Sequence, residues 1–257
     1  MGIRVGVVGA AGRMGSATAA AVRATEDLTL CATLDLGDPL DRLSETGAQV
    51  AVDFTTPSAV LGTVEHCVRA GIHVVVGTSG VGPPEQARIG ELLSGRPGVG
   101  VIVVPNFSIG AVLMMHLAEL AAPFFESVEI VEMHHPDKID APSGTARRTA
   151  ELVAAARSRA GLGSPPDATS TELAGARGAR VDGVAVHSVR LRGLLAHQEV
   201  LLGGPGETLT LRHDSTDRSS FMPGVLTAVR AVLDRPGLTV GLQPLLGLGE
   251  GSRGASC

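Results

Sequence analysis

Ile3-Arg4-Val5-Gly6-Val7-Val8-Gly9-Ala10-Ala11-Gly12-Arg13-Met14-Gly15 is the stretch that decides the fold. A short β-branched run closed by Gly9 reads as a buried parallel strand. The alanine-rich segment Met14–Arg23 reads as the helix that follows the turn. A strand that enters a helix through small residues exposes unpaired helix N–H groups, an arrangement suited to a pyrophosphate. The spacing is Gly9-x-x-Gly12-x-x-Gly15 rather than G-x-G-x-x-G, and glycine turns also arise simply to close a tight bend. On the motif alone both readings stand.

Working outward, strands are expected at Leu28–Leu34, Val50–Phe54, His73–Val76 and Gly100–Val104. Helices are expected at Ala59–Ala70, started by Thr55-Thr56-Pro57-Ser58 and stopped by Gly71, and at Glu85–Leu93. Strands alternating with helices imply crossover connections and a parallel sheet covered on both faces. Such sheets bind ligands beyond the carboxyl ends of their strands. Three of these ends carry small or polar residues: Gly9–Gly15, Gly77-Thr78-Ser79 and Pro105-Asn106-Phe107. Asp35 closes the second strand about twenty residues after the glycines, where a carboxylate can bind an adenosine ribose. It also reads as a solvated turn aspartate. The three strand ends together point to a nicotinamide cofactor.

The pattern changes after Phe107. Ile109–Phe125 reads as a long apolar helix, Val128–Met133 as a strand and Thr145–Arg159 as a helix. Gly161–Pro166 is a loop, and Asp167–Asp182 reads as irregular and polar. Strands are expected at Gly183–Leu191, His197–Leu202 and Thr208–His213, the last two joined by a turn at Gly203-Gly204-Pro205-Gly206-Glu207. This half is α+β with a mixed or antiparallel sheet. Phe221–Leu233 reads as a closing helix, Leu238–Leu246 as a segment packed onto the first half, and the Gly/Ser-rich end from Gly247 to Cys257 as disordered.

The second chemical stretch is Glu132-Met133-His134-His135-Pro136-Asp137-Lys138-Ile139-Asp140-Ala141-Pro142-Ser143-Gly144-Thr145-Ala146. Histidine exchanges protons near neutral pH, and lysine supplies a charge or a proton. Adjacent strand residues point to opposite faces, so both histidines reach one pocket only if the strand breaks near Pro136. Ser143-Gly144-Thr145 starts a helix whose N–H groups can hold a carboxylate; a surface loop with a capping Ser/Thr is the plainer alternative. His134, His135, Asp137 and Asp140 lack zinc-type spacing, so no metal is expected. His116 reads as a packed helix residue. Spacing leaves the direction of His197 and His213 open, and Arg177 and Arg180 read as a solvated loop.

Bulk properties bound these readings. The chain has 257 residues, a hydrophobic fraction of 44% and a net charge of -5, which fits one large or two modest folded domains. The 21 Lys and Arg form no basic block and Trp and Tyr are absent, which argues against nucleic acid. No basic-then-apolar leader and no apolar run of about 18 residues occurs, so no membrane partner is expected and the chain reads as cytoplasmic. Cys31, Cys67 and Cys257 are too few and too scattered for a disulfide framework or a Cys-rich metal site, and Cys31 and Cys67, in apolar surroundings, read as buried, reduced core thiols.

The run His134-His135-x-x-Lys138-x-Asp140-Ala141-Pro142-Ser143-Gly144-Thr145-Ala146 resembles the signature of the 4-hydroxy-tetrahydrodipicolinate reductases, formerly called dihydrodipicolinate reductases. Gly9–Gly15, Gly77-Thr78, Pro105-Asn106-Phe107 and the segment from Gly193 to Val200 are also similar, and the resemblance runs from about Ile3 to Leu246. It implies a reduction that uses NADH, NADPH or both and yields tetrahydrodipicolinate and water on the diaminopimelate route to lysine. It implies His134 as the acid/base histidine, Lys138 as second proton donor, and His135, Gly144 and Thr145 as contacts to a small dicarboxylate substrate. It implies cofactor contacts at Gly9, Ala10, Ala11, Gly12, Arg13, Met14, Asp35, Gly77, Thr78, Ser79, Val104, Pro105, Asn106 and Phe107. It also implies a homotetramer joined through the second domain. Ala11 stands where some relatives carry a basic residue, leaving Arg13 as the charge in the turn and weakening the case for NADPH. The tail from Gly249 lies beyond the family pattern.

The expected architecture is therefore α/β: a Rossmann-like dinucleotide-binding domain at 1–108 completed by 218–247, an α+β substrate and oligomerisation domain with a mixed sheet at 109–217, and a disordered tail at 248–257. A related amino- or imino-acid dehydrogenase, such as an aspartate dehydrogenase, and a non-catalytic dinucleotide sensor are the competing readings. The first would lack the His134-to-Thr145 signature; the second would bind cofactor without turnover.

Overall fold

The chain divides into two compact units, Met1–Ile109 with Arg218–Cys257, and Gly110–Asp217. The computed structural model describes residues 2–248, so most of the expected tail lies outside the described residues. The Leu248 N–H donates to the Gln243 carbonyl at 2.9 Å.

In chain order the elements of the first stretch are β1 (Ile3–Val8), α1 (Arg13–Arg23), β2 (Leu28–Leu34), α2 (Asp41–Glu45), β3 (Val50–Asp53), α3 (Val60–Ala70), β4 (His73–Val76), α4 (Pro83–Ser94) and β5 (Gly100–Val103). The middle of the chain forms α5 (Ile109–Ala121), β6 (Ser127–His134), α6 (Gly144–Arg159), β7 (Ala179–Val181), β8 (Val184–Arg190), β9 (Ala196–Gly204) and β10 (Glu207–Ser215). The chain ends in α7 (Met222–Ala231) and β11 (Gly237–Val240).

The first unit holds a six-stranded sheet in the order β11-β5-β4-β3-β1-β2, with every pair parallel. Val5, Val7, Val50, Val52, Val74 and Ile102 are wholly buried, as expected for strands covered on both faces. From β1 the chain steps to β2 on one side and then back to β3 on the other. The β1/β3 boundary is thus the switch point where open α/β sheets take ligands. The segment expected merely to pack on this half adds β11 as a sixth parallel strand beside β5. Burial pushes the Cys67 thiol up to about 12, with the Asp53 charge adding to the shift, so this cysteine is an inert core group.

The second unit holds a five-stranded mixed sheet, β10-β9-β6-β8-β7, in which only β6 and β8 run parallel. Met114 of α5 and Ala146, Ala150 and Val153 of α6 join Val128, Ile130, Val186 and Val200 of the strands in one core. Strand period two therefore puts Val128, Ile130, Glu132 and His134 on the face these helices cover.

The structure also differs from the sequence reading in two helices and in one loop stretch. The long apolar helix stops at Ala121 and tightens to a 3₁₀ turn over Ala122–Phe124, where Pro123 sits inside the turn. The closing helix is shorter than expected, Met222–Ala231, with 3₁₀ turns at Arg218–Phe221 and Val232–Asp234. The stretch read as irregular contains β7, and Asp167 holds it down by accepting from Arg177 and Arg180. The stretch around the two arginines is solvent-facing, as read, and they form surface ion pairs within it, Arg177 also pairing with Glu129.

Candidate active site

In the first unit the glycine turn is built from backbone contacts. Gly9 has φ +80°, and a Cβ there would sit 2.5 Å from the Phe54 carbonyl oxygen at the end of β3. A Cβ at Gly15 would lie 2.0 Å from the Gly9 carbonyl oxygen, so α1 rests directly on the turn. Gly12 is the N-cap of α1 and contributes no capping side chain, which leaves the first N–H groups of the helix to an anion. Asp35 folds back on this turn. Its Oδ2 accepts the Ala11 N–H at 2.6 Å and its Oδ1 the Leu36 N–H at 2.8 Å. Those two backbone bonds, Leu36 foremost, hold its carboxyl below the usual range. Ala10, Ala11, Ser16, Ala19, Arg23, Thr33, Leu34, Asp35 and Asp38 line a cavity of about 390 Å³ at this corner. An open helix start beside a carboxylate-edged cavity fits a dinucleotide.

The other two strand ends carry less exposed chemistry. The Thr78 hydroxyl points inward, donating to Asp53 Oδ1 at 2.6 Å, so its side chain braces the loop. The Oδ2 of the wholly buried Asp53 meets no partner among the described residues. Gly77 lies between the Phe54 and Phe107 rings, where a Cβ would come within 2.2 Å and 2.6 Å of ring carbons. Ser79 and Pro105 are exposed and Val104 is buried, its N–H bonded to the Val76 carbonyl at 2.8 Å. Asn106 Oδ1 accepts the Ser108 N–H at 2.8 Å, which turns the chain after β5. Met14 and Arg13 sit in the first turn of α1, half-buried and exposed respectively.

In the second unit β6 ends at His134, two residues before Pro136, so His135 is free of the strand's alternation. His135 lines a cavity of about 270 Å³ with Pro136, Asp137, Arg192 and Gly193, and His134 is not among its lining residues. His134 Nδ1 instead lies 2.5 Å from Glu132 Oε2. Lys138 Nζ donates to Asp140 Oδ1 at 2.6 Å. Ser143 caps α6, its Oγ accepting the Ala146 N–H at 3.2 Å, which places Gly144 and Thr145 in the first helical turn. A Cβ on Gly144 would meet open space.

The residue that sequence reasoning missed is Glu132, together with Arg190. Glu132 is wholly buried. Arg190 grips it with two nitrogens, each at 2.9 Å, and the Ser143 N–H adds a bond at 3.1 Å. Burial by itself would push the carboxyl up; hydrogen bonds from His134, Arg190 and Ser188 outweigh it and hold it at about 2. Period two could have flagged Glu132 as the neighbour of His134 on the same face. Nothing local announces Arg190. His197, whose direction the spacing left open, is engaged within its own unit: Nδ1 faces Asp214 at 2.6 Å and Nε2 accepts the Leu195 N–H at 3.2 Å. His213 packs against Gly110, and His116 is half-buried. Among the described residues no group of three or more His, Cys, Asp or Glu could hold a metal ion, and no helix is long and apolar enough to cross a membrane.

A parallel sheet with an open glycine turn, joined in one chain to a mixed-sheet unit bearing a carboxylate-held histidine and a lysine beside a helix start, defines a dinucleotide-linked oxidoreductase. Comparison with known proteins narrows this class. Residues 3–107 match the family described as dihydrodipicolinate reductase, N-terminus, and residues 110–246 the one described as dihydrodipicolinate reductase, C-terminus. The chain belongs to the dihydrodipicolinate reductase family. It is 60% identical over 246 residues to the 4-hydroxy-tetrahydrodipicolinate reductase of Streptomyces coelicolor, covering 96% of this chain and 98% of that one. It is 62% identical over 251 residues to the enzyme of that name from Nocardia farcinica, covering 96% and 100%. The dipicolinate-bound dihydrodipicolinate reductase of Paenisporosarcina sp. TG-14 superposes with a TM-score of 0.83 at 39% identity, over 95% of this chain and 99% of that one. A probable dehydrogenase from Thermotoga maritima, 13% identical with a TM-score of 0.59, shares the fold alone.

Proposed function

We propose that this chain reduces 4-hydroxy-tetrahydrodipicolinate to tetrahydrodipicolinate and water with NADH or NADPH, on the diaminopimelate route to lysine. One observation carries the reading: the intact run from His134 to Thr145 stands at the end of β6 and the start of α6, in a chain that is 60% identical to a reductase of that name.

The nicotinamide, when bound, supplies the hydride; the protein supplies position, charge and protons. Gly9, Ala10, Ala11, Gly12, Arg13 and Met14 are assigned to the pyrophosphate side and Asp35 to the ribose. Gly77, Thr78, Ser79, Val104, Pro105, Asn106 and Phe107 are assigned to the remaining cofactor contacts, Thr78 through its backbone because its hydroxyl is bound to Asp53. The substrate is a cyclic dicarboxylate, and reduction of its C=N unit places developing charge on nitrogen. His134 and Lys138 are assigned to moving the proton that neutralises it. Gly144 and Thr145 offer first-turn N–H groups to one carboxylate, and His135 is assigned to a second polar contact. The direct test is NADH oxidation on adding the product of the preceding synthase, against blanks with other imino acids. No turnover above those blanks would overturn the reading.

We further infer a cytoplasmic homotetramer joined through the second unit's sheet. Supporting this, α5 and α6 cover one sheet face, whereas Val189 and Leu201 on the other are 37% and 38% exposed. Light scattering at micromolar concentration is expected to give about four times 26.1 kDa, and an active monomer would contradict it.

A further inference from the structure

We infer that Glu132 is the positioning residue for His134: it fixes the imidazole as the Nδ1–H tautomer and leaves Nε2 to exchange the proton with substrate. This deepens the proposed function, since it rests on His134 being the acid/base group.

Arg190 meets Glu132 with a bidentate fork, both contacts 2.9 Å, and the Ser143 N–H adds a third bond. A carboxylate so surrounded stays ionised, and an ionised carboxylate only accepts hydrogen bonds. The hydrogen in the 2.5 Å contact with His134 must therefore reside on Nδ1. A neutral imidazole has one N–H, so Nε2 carries the lone pair.

A purely structural ion pair would need only Arg190. Glu132 does more, because its other bonds reach both parts of the candidate site. Oε2 holds the imidazole, and Oε1 holds the Ser143 N–H at the N-cap of α6. Arg190 also donates to the Asp140 carbonyl at 2.6 Å, and Asp140 is the partner of Lys138. One buried carboxylate and one guanidinium thus set the spacing between the histidine, the lysine and the helix start assigned to a substrate carboxylate. The cost of a wrong tautomer in a comparable histidine–carboxylate pair is about 10⁴ in kcat.

The decisive measurement is the ¹⁵N NMR spectrum of histidine-labelled enzyme at alkaline pH, with His134 assigned by loss of its signals in His134→Ala. The expected result is a protonated Nδ1 and an unprotonated Nε2; an Nε2–H tautomer would overturn the proposal. In Glu132→Gln the side-chain amide presents an N–H to Nδ1, so the tautomer should switch. The kcat should fall roughly 10²–10⁴-fold, with the NADH dissociation constant within about threefold of wild type. An unchanged tautomer, or unchanged kcat, in folded Glu132→Gln would equally overturn it. Should that variant not fold, the wild-type spectrum decides alone. The acid/base reading is tested separately: an active His134→Ala would refute that reading, whereas an inactive one with an Nε2–H wild-type tautomer would refute only the role of Glu132.

Discussion

Asp35 Oδ2 accepts the Ala11 backbone N–H at 2.6 Å, so the end of β2 is tied to the middle of the glycine turn. The same carboxylate that is assigned to the ribose therefore also shapes the turn assigned to the pyrophosphate. Two consequences are separable by experiment. A 2′-phosphate would be repelled by ionised Asp35, with Asp38 on the same cavity wall and Arg23 as the cation there. NADH is expected to be preferred, or the two cofactors used about equally; a kcat/KM more than roughly tenfold higher for NADPH would contradict this. Asp35→Ala should in addition weaken both cofactors, because the turn loses its brace.

Glycine substitutions should separate architecture from substrate contact. In Gly15→Ala the new methyl meets the Gly9 carbonyl oxygen at 2.0 Å, backbone against backbone. It should destabilise the protein by about 1–3 kcal/mol, and weaken NADH binding by about tenfold or more. Gly144→Ala, whose Cβ meets open space, should melt within about 0.5 kcal/mol of wild type and change only KM for the acid substrate. Thermal melts and cofactor titrations check both.

His134→Ala and Lys138→Ala should lower kcat by roughly 10²–10⁴ while NADH affinity stays within a few-fold. Both residues belong to the second unit and the glycine turn to the first. Thr145→Val should mainly raise KM, since it alters the helix start assigned to a carboxylate. Near-wild-type kcat in both alanine variants would mean that proton delivery is wrongly assigned.

Acid should destabilise the second unit through Glu132. Its carboxyl is depressed from 4.5 to about 2, so it binds fewer protons folded than unfolded at intermediate pH. The stabilisation is complete above its unfolded value and is lost as pH falls from about 4.5 towards about 2. It amounts to something on the order of 3 kcal/mol. Asp140 and Asp214 are also depressed: burial opposes the Lys138 bond at Asp140, and the Arg212 bond leads at Asp214. Denaturant midpoints measured across this range should fall with pH in wild type and fall less in Glu132→Gln. Equal slopes would contradict the assignment.

The sequence by itself determined what is local. Strand, turn and helix alternation followed from β-branched runs, glycine stops and caps: Ile3–Val8, Leu28–Leu34 and His73–Val76 are strands with the bounds read from the chain. The break of β6 ahead of Pro136 was legible for the same reason, as was the helix start at Ser143. Periodicity even carries the Glu132–His134 adjacency, because residues two apart in a strand share a face.

Tertiary structure decided whatever joins distant segments. Arg190 reaches Glu132 across 58 residues because β6 and β8 run parallel in a register that pairs His134 with Arg190. β11 is a short run, recognisable as a strand only beside β5, and β7 forms only against β8. Thr78 turns its hydroxyl to Asp53, 25 residues away, rather than outward. Propensity and period describe one segment against its average surroundings. Strand register and the partner of a buried charge depend on which segments meet, and only the packed chain specifies that.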